Sequence, residues 1–504
     1  MNTIADPLIH ANRVAAGRIA TVCGETRHTF SELGSRCRRL GGVLESLGVE
    51  RGERVAIWAD NGHRYIEVYV GVPAAGRVVV PLNTRHAEPE LVYALNDSGA
   101  RFLLTDRDPG KLADCVERVI RIPDEYESLL AAADERALGE GGEENDLAGL
   151  FYTGGTTGAS KGVMLTHRNL ISNSFHFMAH VPHQKTDSIL VMAPLFHAAG
   201  SNAVLGNIWS GAKQVILPTF TPEGALDLIE SEACTGTLGV PTMLSALAEE
   251  QMARPRRTHT LKFIAHGGSP IASGVLRRVC EAIPSAELIE VYGATELSPL
   301  ATISRHEEEL LDTDRVRSCG QPMLGVGVGI LGENGCSLPT GEVGEVVVRG
   351  PTVMKGYWNK PEETASVLRE GAYWTGDLGY LDEEGYLFLV DRSKDMIVSG
   401  GENVYSTEVE EVLYRHPDVL EAAVFGVPDE KWGEAVYAAV HLRPGTEGVG
   451  SEDLVAFCRE SLGGYKVPKG IDLHDEVLPK SGPGKFLKRE LREPYWEGHD
   501  RAVN

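Results

Sequence analysis

Short apolar runs alternate with helical patterns along most of this 504-residue chain, and that alternation constrains its fold more than any other feature. Arg54–Trp58 and Val78–Pro81 read as buried strands, and residues 31–48 carry an apolar stripe at helical spacing. The alternation continues from Val163 to about Ile289, where Val215–Leu217 and Phe263–Ala265 feed loops. Strands separated by helices imply an α/β architecture. Sheets of that kind bind ligands outside the carboxyl ends of their strands. The chain is too long for one compact core, so two or more domains are expected.

The character changes near 320–390. Glycines become dense and strands short, as in Gly344–Gly350 and Gly385–Val390, which suggests a small antiparallel sheet or barrel. Asp391-Arg392-Ser393-Lys394-Asp395 then forms a charged break, and a domain boundary is placed at 391–395. Beyond it, Thr407 with Glu410 fits a capping box opening a helix, with Val409, Val412 and Leu413 as its apolar stripe and Pro417 as its stop.

Lysine plus arginine number 48 against 72 acidic residues, a net charge of −24. So acidic a body repels nucleic acid and anionic membrane, while leaving room for a local phosphate pocket. No apolar run approaches the roughly 18 residues of a membrane span. Eight scattered cysteines without a C-x-x-C pair argue against a zinc site or disulfide framework and suit a reducing cytosol. No signal pattern opens the chain, so a cytoplasmic protein is expected.

Tyr152-Thr153-Gly154-Gly155-Thr156-Thr157-Gly158-Ala159-Ser160-Lys161-Gly162 suits a loop that wraps a polyphosphate. Glycines bring backbone N–H groups close, hydroxyls add donors, and Lys161 adds positive charge. It is not a Walker loop, because Gly162 rather than Ser or Thr follows the lysine. Its flanks, Leu150-Phe151-Tyr152 and Val163-Met164-Leu165, read as strands, so the loop joins two strands rather than opening a helix. An ordinary Gly/Thr hairpin turn is the competing reading.

Four more polar motifs follow apolar segments: Ala193-Pro194-Leu195-Phe196-His197, His266-Gly267-Gly268-Ser269-Pro270, Val291-Tyr292-Gly293-Ala294-Thr295-Glu296 and Tyr373-Trp374-Thr375-Gly376-Asp377. Gly400-Gly401-Glu402-Asn403-Val404-Tyr405 and Pro479-Lys480-Ser481-Gly482-Pro483-Gly484-Lys485 come later. Seven motifs in this order resemble the acyl-adenylate-forming enzymes, which include acyl-CoA synthetases, adenylation domains and luciferases. The resemblance covers essentially the whole chain. It implies a large N-terminal domain of two stacked α/β sheets plus a β-barrel-like subdomain (1–391), a hinge (392–395), and a small mobile α+β lid domain (396–504). It implies two half-reactions: a carboxylate attacks ATP to give acyl-AMP and pyrophosphate, then a thiol takes the acyl group and releases AMP.

The resemblance also implies roles. Thr153, Gly154, Gly155, Thr156, Thr157, Gly158 and Lys161 would hold the β/γ phosphates. Glu296 would hold Mg²⁺, a hard cation that prefers carboxylate oxygen. Thr295 would contact the α-phosphate. Tyr292, Gly293, Gly267, Gly268 and Ser269 would form the adenine site, although a buried tyrosine is as readily a core anchor. Asp377 would accept the ribose hydroxyls, with Arg392 assisting or else forming a salt bridge. Lys485 would bridge the attacking carboxylate and the α-phosphate, where negative charge gathers. Lys394 would be the hinge, and Gly400 and Gly401 would line the pantetheine tunnel. His197, at the acyl site, would serve as a gate or as pocket wall.

The chain departs from the family's pattern at three places. Gly154 stands where Ser is usual and Ser160 where Pro is usual, so a looser phosphate grip is expected. Ser406 stands where Pro is usual, and is expected only to free the entry to the following helix. Amino-acid-activating relatives place Asp at the position of His197. Segments 197–204, 266–270 and 292–300 contain no Arg or Lys, as a dicarboxylate would require. A fatty or aryl monocarboxylic acid with an uncharged tail, ATP, Mg²⁺ and coenzyme A are therefore expected, and a homodimer is allowed. The alternatives are a stand-alone acyl-carrier-protein ligase and a nucleotide-binding regulatory module without turnover.

Overall fold

The computed structural model of the chain describes residues 3–139, 142–153, 160–269, 271, 273–306, 313–332, 334–392, 395–399, 402–429, 431–446, 448–480 and 486–497. Gly154, Gly155, Thr156, Thr157, Gly158, Lys394, Gly400, Gly401 and Lys485 lie outside these residues, and Arg392 is described only as backbone. The chain divides into two compact units. The first comprises 1–268, 277–328 and 348–374, and the second 269–276, 329–347 and 375–504.

The first unit holds two large sheets. In the nine-stranded sheet, Ile19–Cys23, Lys213–Ile216, Ser188–Val191, Gly236–Gly239, Phe263–Gly267 and Glu287–Tyr292 run parallel in that spatial order. Antiparallel strands close both edges. In the seven-stranded sheet, Leu147–Thr153, Val78–Pro81, Arg54–Trp58, Phe102–Thr105 and Arg118–Arg121 are parallel neighbours. Strands buried on both faces need continuous apolar runs, and Val78–Pro81 and Phe102–Thr105 are buried throughout. The helix Phe30–Ser46 opens on a capping box between Thr29 and Glu32 and buries Leu33, Cys37, Leu40 and Leu44.

The second unit contains the pairing of Ala372–Leu381, from Thr375 onward, with Leu387–Arg392. It also contains a five-stranded sheet centred on the hairpin of Val419–Asp429 and Gly433–Leu442. Alternate residues of Val419–Asp429 enter two cores. Ala422 and Val424 pack with Val409, Val412 and Leu413, whereas Ala423, Phe425 and Val427 pack with Leu478, Leu491 and Tyr495.

Two sequence expectations are corrected here. Thr407 and Glu410 do not form a capping box. The helix runs Ser406–Tyr414 with Tyr405 as its N-cap and no side-chain cap. Thr407 Oγ1 donates to the Val390 carbonyl, and Glu410 Oε1 accepts from the Val424 N–H at 2.8 Å and from Lys488 at 2.7 Å. The capping role passes to Asp391, whose carboxylate accepts the Ser406 N–H at 2.5 Å and the Ser406 hydroxyl at 3.1 Å. Ser406 thus does more than free the helix entry. A proline there has no N–H to donate. Lys488 completes the cluster by donating to Ser406 Oγ at 2.6 Å. Burial pulls the Lys488 ammonium down, but Glu410, Asp391 and Asp395 outweigh it and hold its pKa above the ordinary lysine value.

All eight cysteines are free thiols, and only Cys336 is exposed. Among the described residues, no helix is long and apolar enough to cross a membrane.

Candidate active site

The Gly-rich segment joins two antiparallel strands, Leu147–Thr153 and Lys161–Thr166, as its flanks predict. Thr153 and Lys161 are register partners, so they stand at the base of the turn. Tyr152 anchors the strand by donating to Asp97 Oδ2 at 2.6 Å. Lys161 Nζ lies 4.9 Å from the ring centroid of Tyr357, and the Tyr357 hydroxyl donates to Glu296 Oε1 at 2.8 Å. One ring therefore connects Lys161 to Glu296 across 135 residues of sequence. Sequence reasoning did not find Tyr357. It sits on a two-residue strand, Gly356–Tyr357, paired to Met164 and Val163, and the sole sequence signal is a glycine beside an aromatic.

Glu296 belongs to a single 3₁₀ turn, Thr295–Leu297, beyond the strand that ends at Tyr292. The segment after that strand is held from several sides. The Ala301 N–H bonds the Tyr292 carbonyl and the Met354 N–H bonds the Glu296 carbonyl, each at 2.8 Å. Asn202 Nδ2 donates to the Ser298 carbonyl at 2.9 Å and Asn173 Nδ2 to the Leu300 carbonyl at 2.8 Å. At Gly293 an added Cβ would stand 2.0 Å from the Pro299 carbonyl oxygen, so only glycine allows this closure.

Burial, then the neighbouring Glu296 charge, push the Tyr357 phenol well above its ordinary pKa, so it remains a donor. Among the described residues that phenol is the one hydrogen-bond partner of the Glu296 carboxylate. A half-buried carboxylate whose other oxygen has no hydrogen-bond partner among the described residues fits a divalent cation, and Lys161 on the far side of the Tyr357 ring fits phosphate. On the neighbouring strand, Gly267 is followed by Gly268 at φ +86°, where a Cβ would meet only Val240 at 3.9 Å. That open backbone fits the flat face of a base. Tyr292 is buried, and Ser269 is half-buried.

His197 is the N-cap of the helix Ala198–Ser210, and its ring lies 4.5 Å from that of Phe196. Behind it lies a cavity of about 50 Å³ with no charged lining residue. Its walls include Gly200, Asn202, Pro299 and Leu300 from two of the segments expected at the acyl pocket, 197–204 and 292–300, and none from 266–270. They also include Ser174, Phe177, His183 and Asn207, which no sequence motif marks. In the second unit, Asp377 is buried and stands opposite Arg392 in the strand register. Its N–H donates to Thr375 Oγ1 at 3.0 Å, and the Gly376 N–H donates to Glu345 at 3.0 Å.

Residues 9–358 match the family model of the AMP-binding enzyme, and residues 408–485 match that of the AMP-binding enzyme C-terminal domain. The chain belongs to the AMP-binding enzyme family. A feruloyl-CoA synthase from an Amycolatopsis species is 39% identical over 477 residues, covering 94% of this chain and 95% of the other. A long-chain-fatty-acid–CoA ligase from Bacillus subtilis is 34% identical over 514 residues, covering 94% and 90%. The solved structure of o-succinylbenzoate CoA synthetase (MenE) from Bacillus subtilis, in complex with its acyl-adenylate intermediate, superposes with a TM-score of 0.88. It is 31% identical and covers 97% of this chain and 98% of that one. This AMP-binding enzyme is thus an AMP-forming acid–thiol ligase of the acyl-CoA synthetase superfamily, and ATP is its nucleotide.

Proposed function

We propose that this enzyme activates a monocarboxylic acid with an uncharged fatty or aryl tail and transfers it to coenzyme A in the cytoplasm. The observation that carries the choice of acid is the cavity behind His197, whose lining holds no charged side chain. An acidic or ammonium-bearing tail would find no counter-ion there. The reading of this cavity as the acyl pocket is supported by its position. Its lining includes Ala265, on the strand that ends in Gly267, and Pro299 and Leu300, which follow the turn that carries Thr295 and Glu296.

In this reading, Lys161 and the 153–158 loop grip the pyrophosphate that leaves. Thr295 steadies the α-phosphate. Glu296, kept in place by Tyr357, would hold Mg²⁺, which supplies charge neutralisation between the phosphates. Tyr292 and the Gly267–Gly268–Ser269 backbone seat adenine, and Asp377 with Arg392 holds the ribose. The acid needs no base, because carboxylates are ionised near pH 7. Lys485 draws the carboxylate and the α-phosphate together. Residues 396–504, hinged at Lys394, would then turn so that Gly400 and Gly401 line the thiol's path.

The test is pyrophosphate release with a panel of fatty, aryl and short acids, run with coenzyme A beside an acyl carrier protein. Acid-dependent release that continues to a coenzyme A thioester is expected. Silence with every acid would overturn the proposal. Lys485→Ala should lower acyl-AMP formation by about 1,000-fold or more while sparing thioester formation from supplied acyl-AMP. Equal loss of both steps would contradict that division of labour.

A further inference from the structure

On the face of the nine-stranded sheet turned away from the cavity lies a polar cluster that the proposed function does not use. In the strand Phe263–Gly267, Phe263 and Ala265 line the cavity, so His266 points to the other face. His266 is the register partner of Glu290, on the neighbouring strand Glu287–Tyr292. Glu290 is in turn the partner of Ser304, on the strand Thr302–His306, and His306 lies two residues beyond it on the same face. The sheet thus sets His266, Glu290 and His306 together on adjacent strands. One ligand atom of each lies within 4.8 Å of the other two. The two imidazole centroids are 5.3 Å apart, with planes 5° from parallel. Two imidazoles on one tetrahedral ion, each with a metal–nitrogen bond of about 2.0–2.1 Å, hold their centroids roughly 5 Å apart, so the observed spacing suits a shared ion.

Solvent does not serve these groups: His266 is 0%, Glu290 7% and His306 6% exposed. Several buried histidines have one unpaired ring nitrogen, but among the described residues only His266 has both unpaired. Glu290 Oε2 stands 3.2 Å from His306 Nε2, yet that nitrogen makes no hydrogen bond. Among the described residues, no lysine or arginine pairs with the Glu290 carboxylate. Buried polar groups are nearly always hydrogen-bonded, and buried charges are paired or bound to metal. A divalent ion would serve one nitrogen of each ring and the carboxylate at once. A second cluster shows the contrast. His28, His63 and Glu67 are equally close, but Glu67 is already taken by Arg36 at 2.7 and 3.0 Å and by the Tyr126 hydroxyl at 2.9 Å.

We propose that His266, Glu290 and His306 form a buried site for one divalent transition ion of the zinc class, which ties their three strands together behind the Gly267–Gly268 turn. Two imidazoles and one carboxylate suit such an ion and leave a fourth position for water. No cysteine takes part, so the scattered cysteines do not bear on it. The ion braces the sheet and takes no part in the chemistry. It is distinct from the cation proposed at Glu296, which a hard, phosphate-bound ion suits.

The experiment is zinc binding by the full-length enzyme. The protein is stripped with a chelator, the chelator is removed, Zn²⁺ is added, and the excess is separated by gel filtration. Zinc retained per chain is then counted by mass spectrometry. The wild type should retain stoichiometric zinc, and Zn²⁺ should raise its thermal midpoint by roughly 2 °C or more. His266→Asn and His306→Gln should each lose both the retained zinc and the shift. Glu296→Gln should keep both, which separates this site from the one proposed for magnesium. Should His266→Asn fail to fold, His306→Gln and Glu290→Gln carry the same readout. No zinc on the wild type, equal retention by the variants, or loss in Glu296→Gln would overturn the inference while leaving the proposed function standing.

Discussion

The corner formed by Lys161, Tyr357 and Glu296 and the cavity lined by Ser174, His183 and Asn207 lie in one compact unit, yet they differ in charge. In the corner a buried phenol fixes one carboxylate oxygen, and the other has no hydrogen-bond partner among the described residues. The charges there suit phosphate and metal, which every acid shares. In the cavity no charge is present, and the polar side chains are hydroxyl, imidazole and amide groups. In the proposed function, charge stabilisation would serve the reaction, while the uncharged lining would select the tail.

Substitutions in the corner should therefore lower the rate with all acids alike, and substitutions in the cavity should change their ratio. The largest effect expected is that of Glu296→Gln. It removes the charge offered to the cation and should reduce kcat about 100-fold or more, equally for aryl and fatty acids. A fall confined to one acid class would break the comparison. Tyr357→Phe keeps the ring near Lys161 and removes only the hydrogen bond to Glu296. A loss of about tenfold is expected, again equal across acids, in line with a hydrogen bond to a charged group. Titrating activity against Mg²⁺ would show a higher metal requirement in this variant.

Ser406→Pro belongs to neither region and serves as the control. It removes the N–H and hydroxyl that Asp391 accepts and should destabilise the second unit by about 1–3 kcal/mol. The thermal midpoint should fall while the ratio between acids stays fixed.

The smallest effect near neutral pH comes from His266, on the strand that serves both regions. Burial, and secondarily His306, lower its pKa from 6.5 to about 3. The folded state holds it neutral, so its contribution to stability is complete above about pH 6.5 and is lost progressively as the pH falls toward 3. In chelator-treated enzyme, His266→Leu should flatten the decline in denaturant midpoint between pH 7 and pH 5. An unchanged slope would assign the acid sensitivity to other groups.

The corner was largely legible in the sequence and the cavity was not. Lys161, Thr295 and Glu296 lie in compact motifs of small and polar residues, because a loop that approaches phosphate admits few residue types. Tyr357 escaped because its partner is 61 residues away and its own strand is two residues long. Ser174, Phe177 and Asn207 sit on helices whose patterns say only that a face is buried, and His183 follows the first of them. What unites them is that they line one cavity, which is a property of three dimensions. The Asp391–Ser406 contact shows the same limit. A capping box was readable at Thr407–Glu410, but a carboxylate 15 residues earlier took the helix terminus instead.

The enzyme is an AMP-forming ligase, and its proposed division of labour is a shared phosphate corner and a selective acyl cavity. Its most direct test is the product balance for the preferred acid, with ATP, Mg²⁺ and coenzyme A. Each ATP consumed should yield equal amounts of acyl-CoA, AMP and pyrophosphate. ADP in place of AMP, or ATP cleavage indifferent to the acid supplied, would contradict it.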